Sequence, residues 1–421
     1  MKHTIILFLG GITLGLMTSL NGQLASIDRR YIMIKFALPY NGDIELVNRS
    51  LLKYSDHIES FFGNLGIDDF GGGRAQTESI IKNEDELKLI FDKLKSADIE
   101  FNYVINNTSL MNEEFTNEYL DRYIAFVKKL IGLGIHKITL SNPFLIRYTK
   151  SEIPDLKISA SVNLKIRSWE ELEYLIGLGI DEATLHYDLI KNFAELKRIR
   201  SNTNLLLKLI PNDLYISNCP WQKGHTRMQG SHSRNSRIKT PYFSYYRNKC
   251  VNIRNIRPEE IYIGKWISPV DIPKYIGIGY ENFKLLDRLA TTEWILRSIE
   301  IYLEQKRESH LEEILGTYGS KSNIDTEISN NDLNDEIYPR EQLELIPEIS
   351  HINNKAWYFT NHNNDCMHCS LCQKAADDGL VFPESKRHQF IQKNQIWQSQ
   401  ITKSSYIRKL NSGRIQRIEY K

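Results

Sequence analysis

The stretches "IGLGIHKITLSNP" (131–143) and "IGLGIDEATLHYD" (176–188) begin 45 residues apart and share one pattern. A third stretch, "YIGIGYENFKLLD" (275–287), repeats it. Each predicts the last turn of a helix, a glycine that ends the helix, and then a short buried strand. Repeated helix–glycine–strand units are typical of folds in which helices and parallel strands alternate.

Further strands are expected on both sides of these units. The candidate strands lie near 33–38, 58–63, 99–105, 136–141, 156–162, 181–186, 204–210, 259–263 and 280–286. Amphipathic helices, such as 84–96 and 114–132, separate most of them. We therefore predict an α/β fold, a (β/α)₈ TIM-type barrel in a regular or distorted form, with a C-terminal cysteine-rich extension. A doubly wound open sheet is the alternative, but no Gly-x-Gly-x-x-Gly follows the first strand.

The chain of 421 residues divides by composition into four parts. Residues 1–30 are read as a leader or a mis-assigned start, because their apolar run could be an export signal, a membrane anchor or sequence upstream of a true start at Met33. The barrel is predicted over 31–318, a polar linker over 319–355, and the cysteine-containing extension over 356–421. Beyond the leader we expect no stable insertion into a membrane.

The five cysteines are the strongest sign of a metal centre. Three of them lie in "DCMHCSLC" (365–372), and two lie apart in the segment 214–258. Such an odd, tightly spaced set is a poor disulfide framework, so we expect reduced thiolates and a cytoplasmic protein. A triplet at this spacing with a remote fourth ligand favours a 4Fe–4S cluster, whereas His368 inside the triplet keeps zinc as the alternative. The candidate ligands are Cys219, Cys250, Cys366, Cys369 and Cys372.

The segment 214–258 is also strongly basic. It holds nine Lys or Arg residues, no Asp or Glu, and several aromatic residues, and we interpret it as a loop. Cations attract phosphates and bases stack on aromatic rings, so an anionic substrate such as RNA is one interpretation. The others are a loop that faces solvent, and cations that balance a negatively charged cluster.

Active sites of such barrels form at the carboxyl ends of the strands. Polar residues at these positions and in the basic segment supply the remaining candidates, although turn and cap residues have the same composition. The candidate catalytic residues are His186, His225 and Asp287. The candidate substrate-binding residues are Arg74, Asn163, Arg227, Arg234, Lys284 and Arg288.

Four motifs in this order resemble those of the collagenase-like U32 peptidase family. They are "FFGNLGIDDFGGGR" (61–74), "KISASVN" (157–163), "NCPWQKGH" (218–225) and "GIGYENFKLLDR" (277–288). The resemblance covers roughly 33–310, and the cysteine tail resembles an extension of some members. In the last motif this chain has "KLLDR" where the family signature reads "KIEGR", so Leu286 and Asp287 replace a glutamate and a glycine.

The resemblance implies a barrel that binds a 4Fe–4S cluster through four cysteines, and Cys219 and Cys250 match cluster cysteines of the family. Several members take part in oxygen-independent hydroxylation of RNA bases or of a quinone precursor, while others are described as peptidases. The leading hypothesis is therefore an iron–sulfur enzyme that modifies, by hydroxylation, a polar or nucleic-acid substrate. The alternatives are a peptidase of the collagenase-like type and a non-catalytic iron–sulfur subunit that pairs with a homologous partner.

Overall fold

The computed structural model describes residues 34–66, 68–74, 81–216, 218–234, 245–305, 311–315, 348–349, 369–381 and 384–401. The predicted leader lies outside these residues, and so does all of the predicted linker except Glu348–Ile349. No helix within the described ranges has the length and apolar character that crossing a membrane requires.

Eight parallel strands close into a barrel, which confirms the predicted (β/α)₈ fold. They are β1 Lys35–Pro39, β2 Ile58–Gly63, β3 Glu100–Ile105, β4 Lys137–Leu140, β5 Lys157–Ala160, β6 Glu182–Thr184, β7 Leu206–Leu209 and β8 Asn282–Lys284. Closure comes from β8, which pairs with β7 on one side and with β1 on the other. Lys284 at the end of β8 lies opposite Ala37 of β1.

The helices that follow these strands have sequence-encoded ends. Those described in the barrel are α1 Ile44–Tyr54, α2 Glu84–Lys95, α3 Asn117–Gly132, α4 Pro143–Glu152, α5 Trp169–Leu178, α6 Phe193–Asn202, α7 Gln222–His232, α8 Tyr245–Ile256, α9 Glu260–Ile263, α10 Ile272–Ile276 and α11 Thr292–Glu304. Asp, Asn, Ser and Thr side chains cap the N-termini of α1 to α6 and of α11. Gly134 and Gly179 follow α3 and α5 with φ of 97° and 99°, so the predicted glycine stops are confirmed.

The strand predicted at 259–263 is wrong, because this stretch forms helix α9. The amide N–H of Ile263 donates to the carbonyl of Glu259, and Ile261 and Tyr262 are both buried although they are neighbours. A strand would point neighbouring side chains to opposite faces. Pro258 just before the turn suits a helix start, a signal that the apolar residues of "EIYI" obscure.

The basic segment is also not a simple loop, since it contains α7 and α8. Helix α7 was not predicted because it contains two glycines, which ordinarily disfavour a helix. A Cβ atom at Gly224 would lie 2.5 Å from Tyr246 Oη, and one at Gly230 would lie 2.4 Å from Asn107 Oδ1. Glycine is therefore needed where α7 packs closely against α8 and the end of β3.

A closed network of charges fills the barrel interior near the strand starts. Lys137 Nζ lies 2.9 Å from Glu59 Oε1 and 2.9 Å from Glu182 Oε2. Lys208 Nζ lies 2.8 Å from Glu59 Oε2 and 2.7 Å from Glu182 Oε1. Burial alone would raise the pKa of Glu182, but the two ammonium groups outweigh it and lower that pKa to about 2. Each charge of this network is matched, as burial requires.

The described part of the C-terminal extension packs on the basic segment. Helix α12 (Leu371–Gly379) contacts α9, and helix α13 (Glu384–Ile401) contacts α8. Arg387 Nε donates to the carbonyl of Asn255 over 2.7 Å. Strand β9 (Glu348–Ile349) pairs antiparallel with β10 (Leu380–Val381). The extension therefore lies beside the helices that follow β7.

Candidate active site at the barrel mouth

Two of the predicted metal ligands meet at the barrel mouth. Cys219 lies in the loop after β7, Cys250 lies on α8, and their thiol groups are joined by a hydrogen bond. This bond, together with the backbone N–H groups of Trp221 and Gln222, lowers the pKa of Cys219 to about 6. The same bond and burial raise the pKa of Cys250. Cys219 is thus the thiolate of the pair and Cys250 the donor.

A buried tyrosine hydroxyl beside this thiol pair lacks a hydrogen-bond partner among the described residues. Tyr187 is 4% exposed, and its hydroxyl makes no hydrogen bond to any described residue. Burial and the negative charges nearby, including that of Cys219, raise its pKa, so it stays a protonated donor. Its ring stacks on Tyr215 with centroids 4.7 Å apart. An unused donor next to a thiolate suits a group that brings acceptor atoms, such as the sulfides of a cluster.

The other predicted ligands are not assembled with the pair. Within the described residues no three His, Cys, Asp or Glu side chains are grouped so that they could hold a metal ion, so neither Cys369 nor Cys372 completes a metal site with Cys219 and Cys250. Cys366, like His368, lies outside the described residues. Two adjacent cysteines, which would both bind a metal as thiolates, and the unpaired Tyr187 hydroxyl fit the predicted cluster, and the remaining ligands would come from the tail.

A polar cleft of about 250 Å³ opens next to the thiol pair. It is lined by Asn107, Thr108, Leu110, Glu114, Ser141, Asn142, Pro143, Asn163, Lys165, Lys223, Thr226 and Arg227. Asn163 and Arg227 were predicted substrate-binding residues, and the structure places both here. Lys165 Nζ donates to Gln222 Oε1 over 3.1 Å. Since the Gln222 N–H faces Cys219, one residue links the cleft to the thiolate.

Three cations give the cleft its charge. Burial and repulsion by Lys223 lower the pKa of Lys165. None of the described carboxylates forms an ion pair with Lys165, Lys223 or Arg227. Two buried acceptors, Thr108 Oγ1 and Glu114 Oε2, also have no described partner. The cleft is thus prepared for a ligand with an anionic part and hydrogen-bond donors.

An exposed aromatic strip borders the cleft. Phe115 and Phe144 lie with ring centroids 4.8 Å apart, and Tyr148 stacks on Phe144 at 6.0 Å. Phe115 is 63% exposed and Phe144 36% exposed. Both adjoin cleft residues, Glu114 and Pro143, along the chain. Aromatic rings that remain exposed beside cations are typical of surfaces on which planar rings stack.

His186, a predicted catalytic residue, lies buried at the end of β6 between two polar partners. Its Nδ1 is 3.2 Å from Asp188 Oδ2, and its Nε2 is 3.2 Å from Gln222 Nε2. Burial opposes ionisation of Asp188, but the bond from His186 and its charge prevail, so the pKa of Asp188 is lowered. The backbone N–H of Asp188 also lies 3.3 Å from Nδ1, so Asp188 and the Gln222 amide together hold the imidazole ring in place.

Four further predicted residues, His225, Arg234, Arg74 and Asp287, do not line the cleft. His225 Nε2 is 3.1 Å from Gln229 Nε2, within α7. Arg234 forms two bonds of 2.9 Å to the carboxylate of Glu113, so its guanidinium fastens the end of α7 to the loop after β3. Arg74 faces Asp287 at 3.6 Å across the β8 side of the mouth.

Arg288 and Lys284 occupy the same β8 side. Arg288 donates to Asn64 Oδ1 and, over 3.1 Å, to the carbonyl of Gly72. Lys284 Nζ lies 4.1 Å from the centroid of the Phe62 ring. Asp213, which sequence reasoning missed, lies buried after β7, and its burial raises the pKa of the carboxyl to about 7. The mouth thus has a cation-lined cleft on one side and buried titratable groups on the other.

Comparisons with known proteins agree with the predicted family. The model of peptidase family U32 matches residues 65–210. An uncharacterized protease of Methanocaldococcus jannaschii is 26% identical over 364 residues, which cover 82% of this chain and 98% of that protein. A solved U32 peptidase is 16% identical, with a TM-score of 0.46 over 61% of this chain and 93% of its own. The match to the family model confirms the family predicted from the four motifs: residues 65–210 belong to peptidase family U32.

Proposed function

We propose that this protein is an enzyme that hydroxylates a nucleic-acid substrate without oxygen, with a 4Fe–4S cluster as cofactor. The observation that carries the proposal is the position of the Cys219–Cys250 thiol pair next to a cation-lined cleft. Gln222 joins the two, because its amide oxygen accepts from Lys165 and its N–H faces Cys219. A redox-active group held by the thiols would lie close to a substrate in the cleft.

Cys219 and Cys250 would supply two ligands of the cluster, and two of Cys366, Cys369 and Cys372 would supply the others. Support comes from helix α12, which begins beside Cys372 and contacts α9 next to the helix that carries Cys250. When bound, the cluster supplies electron transfer. The Tyr187 hydroxyl would donate to a sulfur of the bound group. Two thiolates also suit zinc, which stays the alternative cofactor.

The cleft would bind the substrate through its charge and its amides. Lys165, Lys223 and Arg227 would contact phosphates, as cations do along single strands. Glu114 and Asn142, which share a hydrogen bond of 3.1 Å, would contact the edge of a base. His186, held by Asp188 and in contact with the Gln222 amide, would keep Gln222 in place between the cleft and Cys219.

A hydrolytic function is the second candidate, and the His186–Asp188 pair supports it. A histidine oriented by a carboxylate is the base of many hydrolases. The relative from Methanocaldococcus jannaschii is also named a protease. The Nε2 of His186 meets the Gln222 amide, however, where a hydrolase of that kind would place its nucleophile.

Nucleoside analysis by mass spectrometry tests the proposal. RNA from a deletion strain of the source organism, digested to nucleosides, is compared with RNA from strains complemented by the wild-type protein, by Cys250→Ser and by Ser151→Ala, a control on the outer surface of α4. We expect one nucleoside to lose an oxygen atom in the deletion strain, and wild type and control alone to restore it. An unchanged nucleoside profile, with cleavage of gelatin by both wild type and Cys250→Ser, would overturn the proposal in favour of the peptidase.

A further inference from the structure

Three lysines lie buried inside the barrel, and one of them lacks the partners of the other two. Lys137 and Lys208 each contact both Glu59 and Glu182. Lys284 makes no hydrogen bond or ion pair with any described residue. Since the interior carboxylates already serve two ammonium groups each, the amine of Lys284 has no interior anion left to pair with.

The surroundings of Lys284 favour an amine over an ammonium group. Lys284 is only 9% exposed, which disfavours a charged group, whereas the Phe62 ring, whose centroid lies 4.1 Å from Nζ, by itself favours the ammonium form. The charges that face it are the cations of Lys208 and Arg288 and, with opposite effect, the carboxylates of Glu182 and Glu59. Burial, followed by the charge of Lys208, lowers the pKa of Lys284 to about 7.

The position of Lys284 is that of a reactive group. It ends β8, so it lies at the carboxyl end of the barrel, where ligands enter folds of this type. Asn64, Arg288 and the Asp213 carboxyl occupy the neighbouring strand ends. A lysine that is desolvated and placed next to another cation is a recognised form of activated nucleophile.

We propose that Lys284 is a neutral, nucleophilic amine that forms an imine with a carbonyl compound at the β8 side of the barrel mouth. The nitrogen lone pair attacks the carbonyl carbon, the C=O π electrons move to oxygen, and a proton passes from nitrogen to oxygen to give a carbinolamine. Loss of water then forms the C=N bond, and hydrolysis reverses the sequence with no oxidant or reductant. This activity is independent of the proposed iron–sulfur chemistry.

Reductive methylation of the full-length protein tests this directly. Isotope-labelled formaldehyde with cyanoborohydride is supplied in limiting amount near pH 7, and peptide mass spectrometry locates the methylated lysines. About half of the Lys284 amine should be neutral there, against roughly one in 2,500 for an ordinary lysine. We expect Lys284 to react on the order of tenfold faster than an exposed lysine such as Lys88, since lower basicity offsets part of that gain. Lys208, held by two carboxylates, should stay unmodified.

The pH dependence of the same reaction separates a nucleophile from a cation that binds anions. The methylation rate at Lys284 should level off above about pH 7, whereas the rate at an ordinary lysine keeps rising beyond pH 9. Failure of Lys284 to react in the folded protein, or a midpoint above about pH 9, would overturn the inference. So would a midpoint that inorganic phosphate raises by a full pH unit, because Lys284 would then be an anion site. Lys284→Met identifies the peptide signal, and its circular dichroism reports whether it folds.

Discussion

Buried charged groups near the strand starts pair with one another, whereas several buried polar groups at the barrel mouth have no such partner among the described residues. Near the strand starts, two lysines and two glutamates saturate one another. At the mouth, Lys284, Tyr187 and Glu114 keep polar atoms without a hydrogen-bond or ion-pair partner among the described residues, and Cys219 lies near the cation of Lys165. A buried group that could have been paired but is not destabilises the fold, so its retention points to a ligand. Buried charges that pair with one another therefore support the fold, whereas buried polar groups without a described partner indicate the candidate site.

Removing a carboxylate from the paired charge network near the strand starts should have the largest effect on stability. Glu182→Gln removes a carboxylate that contacts Lys137 and Lys208, which leaves Lys208 with Glu59 alone and makes the two ammonium groups share that buried carboxylate. We expect the free energy of unfolding to fall by about 3–5 kcal/mol, measured by urea denaturation followed by circular dichroism. Glu100→Gln is the control, since its carboxylate is 39% exposed, and should lose about 1 kcal/mol or less. Equal losses of stability in the two variants would contradict the expected difference between a buried and a partly exposed carboxylate.

At the mouth, removing the charge of Lys284 should raise the free energy of unfolding instead of lowering it. The pKa of Lys284 is depressed in the folded state, so the folded protein binds fewer protons than the unfolded chain between about pH 7 and 10.4. Stability therefore rises with pH across this window, and the penalty is complete below about pH 7. Lys284→Met should be more stable than wild type by on the order of 3 kcal/mol at pH 6, with the difference gone near pH 10.4. A pH-independent difference in urea midpoints would contradict this.

Backbone packing at the mouth predicts a moderate effect. A Cβ atom on Gly72 would lie 2.3 Å from Asn64 Cγ, and the Gly72 carbonyl accepts from Arg288. Gly72→Ala should lower the free energy of unfolding by about 1–3 kcal/mol. The control Gly132→Ala meets no atom within 4 Å at the end of α3 and should be neutral or stabilising by up to about 1 kcal/mol. Thermal unfolding of both variants measures these changes in stability. A Gly72→Ala variant as stable as the wild type would contradict the close packing of Gly72 against Asn64.

The cleft cations should give the smallest change, in binding. Lys223→Gln with Arg227→Gln should weaken binding of a short single-stranded RNA, followed by fluorescence anisotropy. Loss of two phosphate contacts should lower the salt slope by about 1.4, and affinity should fall several-fold at low salt. Lys88→Gln, in an exposed pair with Asp92 on α2, is the control and should match wild type. An unchanged salt slope in the double variant would place the nucleic acid elsewhere.

The fold was largely predictable because its signals are local. The repeats around Gly134 and Gly179 contain the helix end, the stop and the strand within a few residues. The helix at 260–263 was missed because buried apolar residues are shared by short strands and helices, and α7 was missed because its glycines serve packing against distant residues.

The site was only partly predictable because it is assembled across strands. Asn163 and Arg227 could be found as polar residues at a strand end and in a basic segment, and the structure brings both to one cleft. Lys165 and Lys223 lie in or next to the quoted motifs, but the sequence does not show that they line one cleft, because the contact of Gln222 on α7 with Lys165 after β5 is made only in the fold. Lys284 has no ion-pair partner among the described residues because Lys137 and Lys208 contact the interior carboxylates. No local sequence pattern encodes those contacts.

The most direct test of the thiol pair as a cluster site is iron and acid-labile sulfide analysis after anaerobic purification. Wild-type protein should contain about four iron and four sulfide per chain, with a broad absorbance near 400 nm. Cys219→Ser with Cys250→Ser should lose most of both, while keeping the circular dichroism spectrum of the barrel. A wild-type protein with one zinc and no sulfide, or iron retained in full by the double variant, would contradict a cluster at this thiol pair.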